Sequence, residues 1–202
     1  TRLQVEHPVT EQITGIDLVK AQIQIAQGEV LPFTQDDLKI QGHAIEVRVY
    51  AEDAAANFMP GTGTLREYRR PQGLGVRVDD GLEQGMEVSI YYDPMIAKLI
   101  TFGADRSEAI ARMKRAMSEY RISGVQTTID FAQFVMDHEA FVSGDFDTHF
   151  VANYYTPEAL DKSNPELEAV GAMALSNLLQ GQKETQRTST SNGQSRWKQN
   201  RS

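Results

Sequence analysis

Arg2, Gln4 and Glu6 occupy every second position of the opening stretch TRLQVEHPVTE. Read as a strand, the alternation sets these three side chains on one face and Leu3 and Val5 on the other. An arginine fork binds a planar oxyanion through two N–H groups, an amide donates to a third oxygen, and a neighbouring carboxylate accepts a proton from whatever is held there. The set suits a small oxyanion such as bicarbonate or phosphate. The alternative is a solvated strand face. Arg77, in LGVRVDDG, also lies opposite two apolar neighbours, Val76 and Val78, and by itself says little.

Other chemistry is poorly represented. PGTGT at 60–64 is glycine-rich but lacks the lysine and the following helix of a phosphate loop, and reads as a turn. The four histidines, His7, His43, His138 and His149, show no metal-ligand spacing, and no Gly-x-Ser-x-Gly is present. The chain has no cysteine, which removes disulfides, thiol nucleophiles and zinc-thiolate sites together and permits a reducing compartment. Cytoplasm or an organelle matrix is the expected location.

The 202 residues are enough for one domain with a tail, and 40% hydrophobic with 24% charged residues is a globular composition. No apolar run approaches the roughly 18 residues of a membrane helix. The net charge of −8 is uneven: from Gly181 to Ser202 five basic residues face one acid, leaving −12 on the first 180 residues. A body that acidic repels nucleic acid.

The elements that must position the opening row follow from periodicity. Pro8 ends the opening strand, and GIDLVKAQIQIAQGE, with Ile16, Val19, Ile23 and Ala26 at helical spacing, predicts a helix with Asp17 near its start and Gly28 at its end. From Gly42 the period becomes two. GHAIEVRVYAED, GTLREYRRP, LGVRVDDG and EVSIYYDPMIAKLITFG predict antiparallel strands joined by tight turns. Ser107 is the expected cap of SEAIARMKRAMSEYRI, with Ile110, Met113, Met117 and Tyr120 in one stripe. Thr127 or Thr128 starts TTIDFAQFVMDHEAF, and HFVANYY is a short further helix. Strands first and helices after make the chain α+β, an antiparallel sheet flanked by helices. ELEAVGAMALSNLL reads as helical, and the polar run from Gly181 to Ser202, with its lone Trp197, as a disordered linker.

Taken in order and at their separations, RLQVEHPVTE, GHAIEVRVYAED, GVRVDDG, YYDPMIAKLI and DRSEAIARMKRA resemble the C-terminal part of biotin carboxylase, the ATP-grasp component of biotin-dependent carboxylases, over about residues 1–155. The resemblance implies that Arg2, Gln4 and the backbone of Val5 hold bicarbonate and that Glu6 is the base that removes its proton. It matches Arg77 to the arginine that stabilises the enolate of the biotin ureido group, and places His149, in DTHF, near the nucleotide. Biotin, ATP and Mg2+ or Mn2+ are the implied cofactors of the complete enzyme, with the metal ligands upstream of Thr1. Residues 1–41 would be the end of the ATP-grasp region with a connecting helix, 42–155 the C-terminal domain, 156–180 a helical extension and 181–202 a flexible linker. A chain of this extent is expected to be catalytically inert alone.

FVSGDFDTHF and the extension past Tyr155 look most like α subunits of acyl-CoA carboxylases of the propionyl-CoA or methylcrotonyl-CoA type, with pyruvate and acetyl-CoA carboxylases open. The implied partners are a carboxybiotin carrier domain, a second copy of the chain and a carboxyltransferase subunit, with neither nucleic acid nor membrane. Two departures stand out: AEDA lacks the usual proline after Asp53, and Thr128 replaces a usual Asn, with capping of the helix expected to survive. A mainly oligomer-forming module and a carbamoyl-phosphate synthetase relative are the competing readings.

Overall fold

The structure, a computed structural model, describes residues 2–89 and 91–160, with Val170, Met173, Leu175 and Ser176 beyond them. The backbone separates into residues 1–160 and 161–202. The four isolated residues are helical. The polar run expected to be a linker, and Trp197 within it, lies outside the described residues.

The opening stretch corrects the sequence reading. Residues 2–4 pair with no strand, Val5 and Glu6 form a turn, and helix α1 (His7–Thr14) begins at once. Pro8 does not merely end an extended segment; it sits in the first turn of α1, where its missing N–H is no loss and its fixed φ suits the helix. Gly15 closes α1 in the left-handed conformation. The helix expected from Gly15 starts later, as α2 (Leu18–Ala26), capped by the Asp17 carboxylate, which accepts from the Lys20 N–H at 2.8 Å.

Strand β1 (His43–Tyr50) follows, then short strands β2 (Glu52–Asp53), β3 (Met59–Pro60), β4 (Gly63–Thr64) and β5 (Glu67–Arg69). After them come β6 (Val76–Asp80), β7 (Glu87–Val88) and β8 (Met95–Gly103). Helix α3 (Arg106–Glu119), strand β9 (Arg121–Ser123) and helices α4 (Ile129–Asp137), α5 (Glu139–Ser143) and α6 (Phe150–Tyr154) complete this unit. The central sheet is antiparallel in the order β1-β8-β6, and β2-β3, β4-β7 and β5-β9 form separate antiparallel pairs. The expected α+β class holds.

Register divides the central sheet into two unlike faces. Val47 pairs with Leu99 and Leu99 with Val78, so these three share one face with Val49, Ala97, Thr101 and Val76. Helix α3 covers that face. The Thr101 hydroxyl donates to the Ala109 carbonyl at 2.9 Å, and the predicted stripe Ile110, Met113, Met117 and Tyr120 is buried. The cap of α3 is Asp105 rather than Ser107: its carboxylate accepts from the Glu108 N–H at 2.8 Å, while Glu108 accepts from the Ala104 N–H. Thr128 precedes α4 but does not cap it. Its hydroxyl donates to the Arg48 carbonyl and accepts from the Tyr50 N–H, tying α4 to β1. The helix then breaks at His138, whose Nδ1 accepts from the Ala140 N–H and caps α5.

One glycine has no alternative. Gly124 follows β9 at φ 105°, and a Cβ there would run into the Thr64 carbonyl oxygen. Gly124→Ala is expected to destabilise the protein by about 2 kcal/mol through strain and overpacking together. The check is a lower urea midpoint at unchanged slope.

Candidate functional site

The second face of the central sheet carries charge. Arg48 lies directly across from Lys98, and Lys98 directly across from Asp79; one row further along, Glu46, Ile100 and Arg77 align in the same way. Alternation alone places Glu46 and Arg48 on the same side as Lys98, Arg77 and Asp79. The opening segment and α1 cover this face: the Lys98 ammonium donates to the Val5 carbonyl at 3.5 Å, and Pro8, Ile96 and Ile100 are fully buried.

Arg2, Gln4 and Glu6 are exposed and Leu3 and Val5 half-buried, so the predicted alternation survives without the predicted strand. The turn into α1 fixes the row: the Gln4 carbonyl accepts from the His7 N–H at 3.3 Å and lies 2.8 Å from His7 Nδ1. From Arg48, 42 residues later, Nη2 donates to Glu6 Oε2 at 3.0 Å. Arg48 Nε lies 3.7 Å from Glu46 Oε1. The Glu46 side chain is only 5% exposed, and its Oε2 has no hydrogen-bond partner among the described residues. Burial pushes the Glu46 carboxyl up, against the pull of Lys98, Arg48 and His7.

Arg77 sits elsewhere on the same face. Its Nη1 donates to Glu11 Oε2 at 2.7 Å, and Nε and Nη2 hold both Asp79 oxygens at 2.7 and 2.9 Å. Asp79 also pairs with Lys98 at 3.4 Å. Burial works against the Asp79 charge, but Arg77 and Lys98 outweigh it and hold the carboxyl below the usual range. Glu11 uses its other oxygen to accept from the Leu18 N–H at the start of α2. Arg77 therefore ties β6 to α1 and, through Glu11, to α2, beside an open cavity of about 530 Å³ lined by Glu11, Gln12, Asp17 and Arg77 among others.

His149, just before α6, is exposed and pairs with Asp147 at 3.2 Å. Among the described contacts none joins it to the charged face. The structure joins Glu6 to Arg48 and the Val5 carbonyl to Lys98, with Glu46 beside Arg48, and leaves the Arg2 and Gln4 side chains exposed in the same opening segment; Arg48, Glu46 and Lys98 are additions that the sequence motifs do not single out. The signal for Glu46 and Arg48 was their shared parity in GHAIEVRVYAED; that for Lys98 was a lone cation in the apolar run MIAKLITFG. Among the described residues no three His, Asp or Glu side chains gather as metal ligands.

The segment is similar in sequence and in fold to known proteins. Residues 46–153 match the biotin carboxylase C-terminal domain, and residues 1–34 match the ATP-binding domain of the carbamoyl-phosphate synthase L chain. The chain is 57% identical over 154 residues to one of the subunits of pyruvate carboxylase from Methanothermobacter thermautotrophicus, covering 76% of this chain and 31% of that protein. It is 46% identical over 177 residues to the alpha chain of the mitochondrial methylcrotonoyl-CoA carboxylase of Arabidopsis thaliana, covering 87% of this chain and 24% of that one. Among solved structures, the biotin carboxylase domain dimer of Hydrogenobacter thermophilus 2-oxoglutarate carboxylase, in complex with MgADP, ADP and bicarbonate, superposes with a TM-score of 0.77 at 43% identity, over 81% of this chain and 36% of that one. The chain spans about a third or less of the length of these relatives. With more than half its length matched and its fold shared with those structures, the chain belongs to the biotin carboxylase C-terminal domain family.

Proposed function

We propose that this segment forms the bicarbonate- and biotin-facing part of an ATP-dependent biotin carboxylase. The observation that carries the reading is the Glu6–Arg48 contact at 3.0 Å beside exposed Arg2 and Gln4. Arg2 and Gln4, with the Val5 backbone, orient the anion, and Glu6 removes its proton at a carboxylate oxygen. ATP, held largely by residues outside this segment, supplies the phosphoryl group that turns bicarbonate into carboxyphosphate.

The enolate of biotin then needs a fixed positive charge. Arg48 has that position in preference to Arg77, because Arg48 shares the site with Glu6 whereas Arg77 has both edges of its guanidinium engaged by Glu11 and Asp79. In the complete carboxylase, Arg48→Ala is expected to slow carboxylation of free biotin by about 100-fold, the usual effect of removing one oxyanion donor, and Arg77→Ala by less than about tenfold. The reverse order would return the role to Arg77, and small effects from both would remove this site.

The match to the methylcrotonoyl-CoA carboxylase chain extends over 177 residues, beyond the 154 shared with the pyruvate carboxylase of Methanothermobacter thermautotrophicus. That longer match supports an α subunit of an acyl-CoA carboxylase. Its partners would be a biotin carrier domain, a second copy of the chain as dimer mate, and a carboxyltransferase subunit.

A further inference from the structure

Arg48 and Lys98 are like charges set directly across two strands, an unfavourable arrangement unless acids separate or compensate them. Asp79 compensates Lys98 at 3.4 Å. Arg48 has two carboxylates: Glu6, which is 55% exposed, and Glu46, which is 5% exposed. These two differ in what the reaction does to them. If Glu6 takes a proton from bicarbonate, it loses the charge that holds Arg48, while the Glu46 side chain is buried from solvent.

Glu46 also keeps one oxygen empty. Oε2 is buried without a hydrogen-bond partner among the described residues, an arrangement that folded proteins mostly avoid. The charged groups around it are Glu6 and His7 from the opening segment and α1, Arg48 on its own strand and Lys98 on β8. Of these, Arg48 pairs with the same carboxylate, its Nε 3.7 Å from the other oxygen. A small rotation of the guanidinium would make it the missing donor.

We infer that Glu46 is a second berth for the Arg48 guanidinium, which takes up its pairing when Glu6 accepts the bicarbonate proton and so keeps Arg48 aimed into the site for the biotin step. This rests on the reading of Glu6 as the base. The proton passes from the bicarbonate hydroxyl to a Glu6 carboxylate oxygen, the O–H bonding pair remains on bicarbonate, and no other bond changes. Glu46 is a positioning residue. It acts through Arg48 and touches no reacting atom.

The test is the ratio of carboxybiotin formed to ATP cleaved in the complete carboxylase. A residue that only supports the fold lowers both rates together and leaves the ratio alone. Glu46→Gln is expected to lower the ratio at least fivefold, because a neutral amide gives Arg48 no charge to move to, and Glu46→Asp to restore it to within about twofold. An unchanged ratio in Glu46→Gln overturns the inference, as does loss of all ATP cleavage in both variants, which would assign Glu46 to folding. Glu6→Gln run in parallel separates the two readings. Undiminished ATP cleavage there removes the base beneath both, whereas its loss beside an unchanged ratio in Glu46→Gln removes the berth alone.

Discussion

Glu6→Gln in the complete carboxylase is expected to lower bicarbonate-dependent ATP cleavage by about a thousandfold, within the range that positioned general bases contribute. The substitution keeps the length and shape of the side chain. Its amide oxygen still accepts from Arg48, 3.0 Å away, so the turn into α1 is left in place. What disappears is the site for the proton, and bicarbonate that keeps its proton is a poor nucleophile toward a phosphoryl group. The loss therefore falls on the maximal rate, with the bicarbonate KM moving less than about threefold because Arg2, Gln4 and the Val5 backbone still hold the anion. Steady-state rates over a range of bicarbonate concentrations check this. A loss below about tenfold would exclude Glu6 as the base.

The second large effect concerns stability. Leu99→Ala is expected to destabilise the protein by about 3–5 kcal/mol, the upper part of the range for large-to-small changes at a site that cannot collapse. Leu99 is fully buried in the central strand and is held laterally by Val47 and Val78. Strands on both sides fix its backbone, and α3 closes the face above it, so the cavity has no neighbour free to fill it. Against a typical total of 5–15 kcal/mol this is a large share. Denaturant unfolding is the measurement. Leu99→Met, which nearly conserves volume, should cost less than about 1.5 kcal/mol; equal losses from both substitutions would mean that shape, rather than the cavity, governs the site.

The local chemistry of these residues was legible in the chain to different degrees. β1 announces itself by period two, β8 by a short apolar run and the α3 stripe by period 3.6, because all three patterns are written in neighbouring residues. Helix α1 was hidden by Pro8, which as a single letter serves equally to end a strand or to begin a helix. Asp105 and Ser107 are both good caps two residues apart, and only backbone geometry chooses between them. Thr128 suits a cap because its hydroxyl has that local option; the structure engages it instead with β1, 78 residues before it. The charged face was the least legible. Arg48, Lys98 and Asp79 come from three separate strands, and their alignment is a property of register that no window of sequence contains. Arg77 illustrates the same limit from the other side, since its type and neighbours say little by themselves and its partner Glu11 stands 66 residues before it.

The division of β8 between two faces sets where the chain can change length. Lys98 and Leu99 are adjacent in sequence, yet one belongs to the charged face and the other to the packed interior. Inserting a single residue between 96 and 98 would move Leu99 into the row of Glu46 and Arg77 and drive the Lys98 ammonium toward α3, so that chemistry and core would be exchanged together. Tyr91 and Tyr92, by contrast, are exposed in the connection between β7 and β8 and lie outside the paired register of the central sheet. An insertion there leaves both faces of the central sheet in step, because the paired residues of β6 and β8 keep their register.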